Sequence, residues 1–199
     1  MKLTFDLIDC LPCMVRHTME AAERAGADAV QREEIVRRTC SYMADMPFGQ
    51  SPPEAARNIY RIIHDVTGCR DFYADAKRQY NRLLLDAYAE LQGKVRKARD
   101  PFEAAARMAI GGNIIDFGSN AGLDEQSVFA TLAEVESQPL ALDELARLRA
   151  AIQRAGKVLY LADNAGEIVL DKLFISEFPP DTRVTVAVKG GPVLNDVTL

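Results

Sequence analysis

Two short stretches of the chain concentrate the side chains suited to metal and phosphate chemistry. One is Asp163-Asn-Ala-Gly-Glu167, and the other runs from Lys189 through Gly190, Gly191 and Pro192 to Asn195 and Asp196. Asp carboxylates and an Asn carbonyl are hard oxygen ligands. They suit Mg²⁺ or Mn²⁺, which keep positions open for water and phosphate. Asp163, Asn164 and Asp196 therefore make a candidate metal set and catalytic centre. A cation held there would polarise a phosphoryl group and activate a water. Gly166 permits close backbone approach, and the amides of Gly166, Glu167 and Ile168 open a helix whose N-terminus suits an anion. Lys189 offers a positive charge to a phosphate oxygen, with Asn195 beside the ligand Asp196. The same pieces also have a plainer reading. Asp-Asn after a strand is a common N-cap and turn, and Gly-Gly-Pro is a common loop.

These residues need strands to carry them. Lys157-Val-Leu-Tyr-Leu-Ala162 reads as a buried strand, Ile168 to Ser176 as a helix, and Arg183-Val-Thr-Val-Ala-Val188 as a second strand. Such a βαβ unit has parallel strands and a right-handed crossover. Ligands of open α/β sheets bind at the carboxyl ends of the strands, which is where both polar stretches fall.

Upstream of about residue 156 the pattern is helical. Helices are expected from Pro12 to Arg24, Ala29 to Ala44, Ser51 to Thr67 and Tyr73 to Lys97, then from Asp100-Pro101, Asp124 and Leu142-Asp143. Ser51-Pro-Pro-Glu54 is a capping-box start. The expected fold is α/β: a helical N-terminal domain over 1–100 and a parallel-sheet core over 101–199. Two good strands, with a further strand at Leu3–Leu7 as a candidate, are few for a sheet covered on both faces. Either short strands lie in the middle segment, or the sheet continues past residue 199. The reading favours a chain truncated at its C-terminus.

Two further groups stand out. Asn113 and Asp116 lie in Gly111-Gly-Asn-Ile-Ile-Asp-Phe-Gly118, where paired glycines allow close approach to a ligand or mark a helix end followed by a new start. Cys10, Cys13 and His17 share a helix face and offer soft ligands for Zn²⁺, with Cys40 or Cys69 as a fourth. They could equally serve as a redox pair or as core packing.

With 199 residues, 48% hydrophobic and 27% charged, the chain has an ordinary globular composition. A net charge of -5 argues against nucleic acid as the main partner. No apolar run suggests a membrane span, and the N-terminus lacks a signal-peptide pattern, so a cytoplasmic location is expected.

Several of these motifs occur together and in order in a known family. Cys10-Leu-Pro-Cys13 with Arg16 and His17, Ser51-Pro-Pro-Glu54, Thr67-Gly68, Gly112-Asn-Ile-Ile-Asp-Phe-Gly118, Asp163 to Asp171, and Val188 to Thr198 resemble the DUF89 (damage-control phosphatase, ARMT1-like) family. The match is to its mostly prokaryotic branch, which carries an N-terminal CxxC motif. The resemblance implies a helical N-terminal region, a Rossmann-like core and a divalent-metal-dependent phosphatase using Mg²⁺, Mn²⁺, Co²⁺ or Ni²⁺. It implies small phosphorylated metabolites as substrates, namely damaged or misplaced phosphate esters such as sugar phosphates. It places metal ligands at Asp163, Asn164 and Asp196, and puts the Asn113–Asp116 stretch on the substrate side. Family members usually continue well past the Asn-Asp motif. Two alternatives remain beside this reading. One is a transferase binding S-adenosylmethionine or a nucleotide, although the G-x-G spacing is missing. The other is a non-catalytic protein that binds metal through Cys10 and Cys13 and acts by interaction.

Overall fold

A computed structural model describes residues 7–114 and 125–199. Asp116 and most of the Leu3–Leu7 segment lie outside these residues; Leu7 itself begins a 3-10 turn, Leu7–Cys10. The chain divides into two compact units, Met1–Tyr73 and Ala74–Leu199.

The first unit is helical: α1 (Leu11–Arg24), α2 (Ala29–Asp45) and α3 (Pro52–Thr67). Its boundaries follow local chemistry. Asp28 caps α2 by a reciprocal pair, with Gln31 N donating to Asp28 Oδ1 at 2.8 Å and Asp28 N donating to Gln31 Oε1 at 3.1 Å. At α3 the Glu54 carboxylate accepts from Ser51 N and Ser51 Oγ, both at 2.8 Å. Gly68, in the left-handed region at φ +73°, closes the helix by donating to His64 O. Met14, Ala21 and Ala22 of α1 bury their face against Ile35 of α2 and Ala55, Ile59 and Ile63 of α3. Asp28→Ala removes one half of the α2 cap. It should lower unfolding stability by about 1 kcal/mol, measured by urea denaturation.

The second unit contains α4 (Ala74–Asp86), α5 (Tyr88–Lys97), α6 (Pro101–Ile114), α7 (Glu125–Ser137), α8 (Leu145–Arg154), β1 (Lys157–Leu161), α9 (Glu167–Ile175) and β2 (Arg183–Ala187). The single helix expected over 73–97 is interrupted at Ala87. Helical bonding nevertheless carries through, with Ala87 N donating to Leu83 O and Leu91 N to Ala87 O. Tyr80 and Leu84 on one side of the break and Leu91 and Val95 on the other reach the same core. That core also holds Leu170, Leu173 and the edge-on ring series Phe102–Phe174–Phe178. Burying α4 and α5 in this core accounts for a division at Tyr73.

β1 and β2 pair in parallel, with Lys157 opposite Arg183 and Leu161 opposite Ala187. The chain is thus mostly helical α/β with a two-stranded parallel sheet among the described residues. No further strand appears among the described residues of 74–156. One sheet face packs Val158, Tyr160 and Val184 onto the helical core. The other presents Leu159 and Leu161, which are 65% and 74% exposed. Among the described residues no helix is long and apolar enough to cross a membrane.

Arg149 on α8 ties that helix to the start of α6. Its Nη2 donates to both Asp100 oxygens at 2.5 Å, and its guanidinium lies 4.7 Å from the centre of the Phe102 ring. The Arg149 hydrogen bond holds the Asp100 carboxyl below its ordinary pKa.

Candidate functional site

The site is assembled by backbone pairing beyond the strand ends. Ala162 N extends the sheet by donating to Ala187 O at 3.0 Å. After that the two connecting segments run antiparallel. Ala165 N donates to Asn195 O at 2.8 Å and Val197 N donates to Asp163 O at 2.7 Å, making an isolated bridge between Asn164 and Asp196. Lys189 N donates to Val197 O at 3.0 Å and closes the second segment back on itself. Asp163, Asn164, Lys189, Asn195 and Asp196 are therefore brought together. Leu194 takes a φ of +44° in the turn before Asp196. A bulky residue rarely adopts this conformation, and such strain recurs at functional sites.

Asp163 is exposed, Asn164 is half-buried and Asp196 is 7% exposed. Lys189 Nζ lies 2.8 Å from Asp196 Oδ2. That hydrogen bond, and the charge of Asp196, hold the ammonium above its ordinary pKa. The set offers two carboxylates and one amide carbonyl, a hard oxygen donor set that fits Mg²⁺ or Mn²⁺ with water completing the shell. The Lys189 contact shows that Asp196 already takes a cationic partner.

The turn to α9 differs from expectation. Gly166 adopts φ +86°, as a glycine there allows. Its amide, however, donates to Asn81 Oδ1 on α4 at 2.7 Å, and Ile168 N donates to Asn164 O at 3.2 Å. Two of the three amides considered for phosphate are thus engaged within the chain. Glu167 contributes its side chain instead. Its carboxylate, 8% exposed, accepts from Asn164 Nδ2 at 2.9 Å and from Asn164 N at 3.4 Å. It also accepts from Asn113 Nδ2, at 3.2 and 3.4 Å.

Gly111 and Gly112 correct the loop expected there, because both lie inside α6. A Cβ on Gly111 would stand 2.9 Å from Leu132 Cδ2. One on Gly112 would stand 3.0 Å from Leu170 Cδ1 and 3.3 Å from Glu167 Cα. The pair thins α6 so that α7 and α9 can approach it. Asn113, one residue on, reaches the site through Glu167. Asp116 lies outside the described residues.

The sequence reading passed over Asn81, Tyr160 and Asp171. Tyr160 OH donates to Asp171 Oδ1 at 2.6 Å and ties β1 to α9 on either side of the turn. Asp171 is 3% exposed, and its Oδ2 has no partner among the described residues. Burial, reinforced by the charges of Glu167 and Asp163, pushes its carboxyl up to about 6. Burial and the Asp171 bond raise the Tyr160 phenol as well. Asp171 could have been noticed as an acid one helical turn beyond Glu167 in a largely apolar helix. Asn81 carried no signal, since its partner lies 85 residues away.

The cysteine motif does not assemble as a metal site. Among the described residues no three His, Cys, Asp or Glu side chains gather around one metal position. Cys10 ends the 3-10 turn, and Cys13 is exposed with its sulfur near Arg16 Nη2. His17 Nδ1 faces Glu20 at 3.5 Å. The expected Zn²⁺ site therefore finds no support.

The family model of the damage-control phosphatase ARMT1-like domain matches residues 7–199. The chain belongs to this family. This ARMT1-like domain is 30% identical to a damage-control phosphatase of Archaeoglobus fulgidus, over 96% of the chain and 66% of that protein. It is 26% identical to an uncharacterised protein of Methanocaldococcus jannaschii, over 96% of the chain and 64% of the relative. A crystal structure of a DUF89 family protein from Pyrococcus horikoshii superposes with a TM-score of 0.83 at 26% identity, covering 96% of the chain and 66% of that one. The ARMT1-like domain described here thus spans just under two thirds of the length of the relatives it matches.

Proposed function

We propose that this chain carries the metal site of a divalent-metal-dependent phosphatase acting on small phosphometabolites, such as misplaced sugar phosphates. The observation that carries the reading is the antiparallel pairing that sets Asp163 and Asn164 beside Asp196 at the carboxyl ends of two parallel strands. The βαβ unit reads as part of a Rossmann-like sheet, where ligands sit at this edge. Membership in a family with relatives named damage-control phosphatase agrees with it.

In this reading Asp163, Asn164 and Asp196 hold Mg²⁺, Mn²⁺, Co²⁺ or Ni²⁺. When bound, the cation supplies Lewis acidity for the phosphoryl group and lowers the pKa of a water. The residues of the chain do the rest. Asn164 offers a neutral oxygen, so the set stays at two negative charges and leaves the phosphate tolerated. Lys189 turns from Asp196 to a phosphate oxygen once the carboxylate is otherwise neutralised. Asn113 and Asn195 border the place where the ester group lies.

The test is calorimetric titration with Mn²⁺ alongside hydrolysis of p-nitrophenyl phosphate. Mn²⁺ binding is expected, with hydrolysis that falls to background on chelation and returns when Mn²⁺ is restored. Hydrolysis indifferent to chelation, or no detectable Mn²⁺ binding, would overturn the reading.

A further inference from the structure

We propose that the buried Glu167 carboxylate is a positioning residue that fixes which end of the Asn164 amide faces the metal, an inference that rests on the metal reading above. A terminal amide has two unlike ends: a carbonyl oxygen that can ligate a cation, and an NH₂ that cannot. Nearly the same shape fits either way round, so something in the site must choose. Here the chooser is charge. An ionised carboxylate only accepts hydrogen bonds.

Glu167 takes Asn164 Nδ2 at 2.9 Å and the Asn164 backbone N–H at 3.4 Å on the same oxygen. Asp163 Oδ2 accepts from the same Nδ2 at 3.3 Å. The NH₂ end of Asn164 is therefore committed to two carboxylates, and Oδ1 takes the opposite end. Turning the amide over would set its oxygen against Glu167, acceptor facing acceptor, at a carboxylate that is itself buried.

Glu167 is itself held in place. Asn113 Nδ2 donates to both of its oxygens. The bare Gly112 backbone lets α6 lie against it, with a Cβ there falling 3.2 Å from Glu167 Cγ. This glutamate therefore acts through its side chain, behind the proposed ligand. Partners behind a metal ligand set its orientation and commonly govern affinity by about 10–100-fold.

The test is Glu167→Met, which keeps side-chain length and bulk while removing both acceptors. It is made in the wild-type chain and again in an Asn164→Asp chain. A carboxylate at 164 has two equivalent oxygens and no wrong end, so orientation ceases to matter. Mn²⁺ affinity, read by calorimetry, should fall about 10–100-fold in the wild-type background. It should not fall in the Asn164→Asp background, while thermal melting confirms that each variant folds. Unchanged affinity in the first background overturns the proposal. So does an equal loss in both, which would make Glu167 a support of the fold only. Failure of the wild-type chain to bind Mn²⁺ is a different result, since it withdraws the metal reading together with this inference.

Discussion

Asp196→Asn should leave the chain folded and bring Mn²⁺-dependent phosphate hydrolysis to background, with Mn²⁺ affinity falling by more than about 100-fold. The size follows from position. Loss of a partner behind a ligand already costs about 10–100-fold, and Asp196 stands in the proposed donor set itself. Asn keeps the shape, so the backbone pairing of 163–165 with 195–197 is undisturbed. What disappears is one of the two negative charges of the proposed metal set. The fold loses little in exchange, because the Lys189 side chain that pairs with Asp196 is 47% exposed and can be solvated. Asp163→Asn should behave alike, since Asp163 is an exposed residue. Calorimetry with Mn²⁺, the aryl phosphate assay and a urea melt together separate loss of the site from loss of the fold. Full activity in both variants would remove Asp163 and Asp196 from the site.

Much of this arrangement was readable in the sequence because it depends on short-range rules. The two Val-rich runs, the polar residues at their ends and the parallel pairing all follow from strand periodicity and connection length. The starts of α3 and α6 follow from Ser51 and Asp100 placed before proline. What escaped depends on three-dimensional packing. Gly111 and Gly112 read as a loop because glycine is poor in helices, yet they lie in α6, where the approach of α7 and α9 outweighs that preference. The amide of Gly166 read as available to phosphate because nothing nearby in sequence claims it; the claimant is Asn81, on α4. The break at Ala87 carries neither proline nor glycine. The cysteine spacing matched a metal motif, but spacing on a helix does not supply a fourth ligand, and Cys13 faces outward.

The buried Asp171 leads to an effect of opposite sign to the usual behaviour of a protein carboxylate. Burial raises its pKa from 3.8 to about 6, with the charges of Glu167 on α9 and Asp163 beyond β1 adding to the shift and the Tyr160 hydrogen bond opposing it. Between these values the folded chain binds more protons than the unfolded one. Stability therefore falls as pH rises through this window, and the loss is complete above about pH 6. At about 1.4 kcal/mol per unit the whole window corresponds to about 3 kcal/mol at most. Asp171→Asn removes the titration, while Asn Oδ1 still accepts from Tyr160 OH. Burying the new NH₂ shifts stability by the same amount at every pH, so the slope rather than the level is diagnostic. Urea unfolding of both chains at pH 4, 5, 6 and 7 without metal should show the variant gaining on the wild type by about 2–3 kcal/mol from the lowest pH to the highest. A difference that stays flat across that range would mean Asp171 keeps its charge when buried. The Tyr160 bond alone would then be strong enough to hold an ionised carboxylate between β1 and α9.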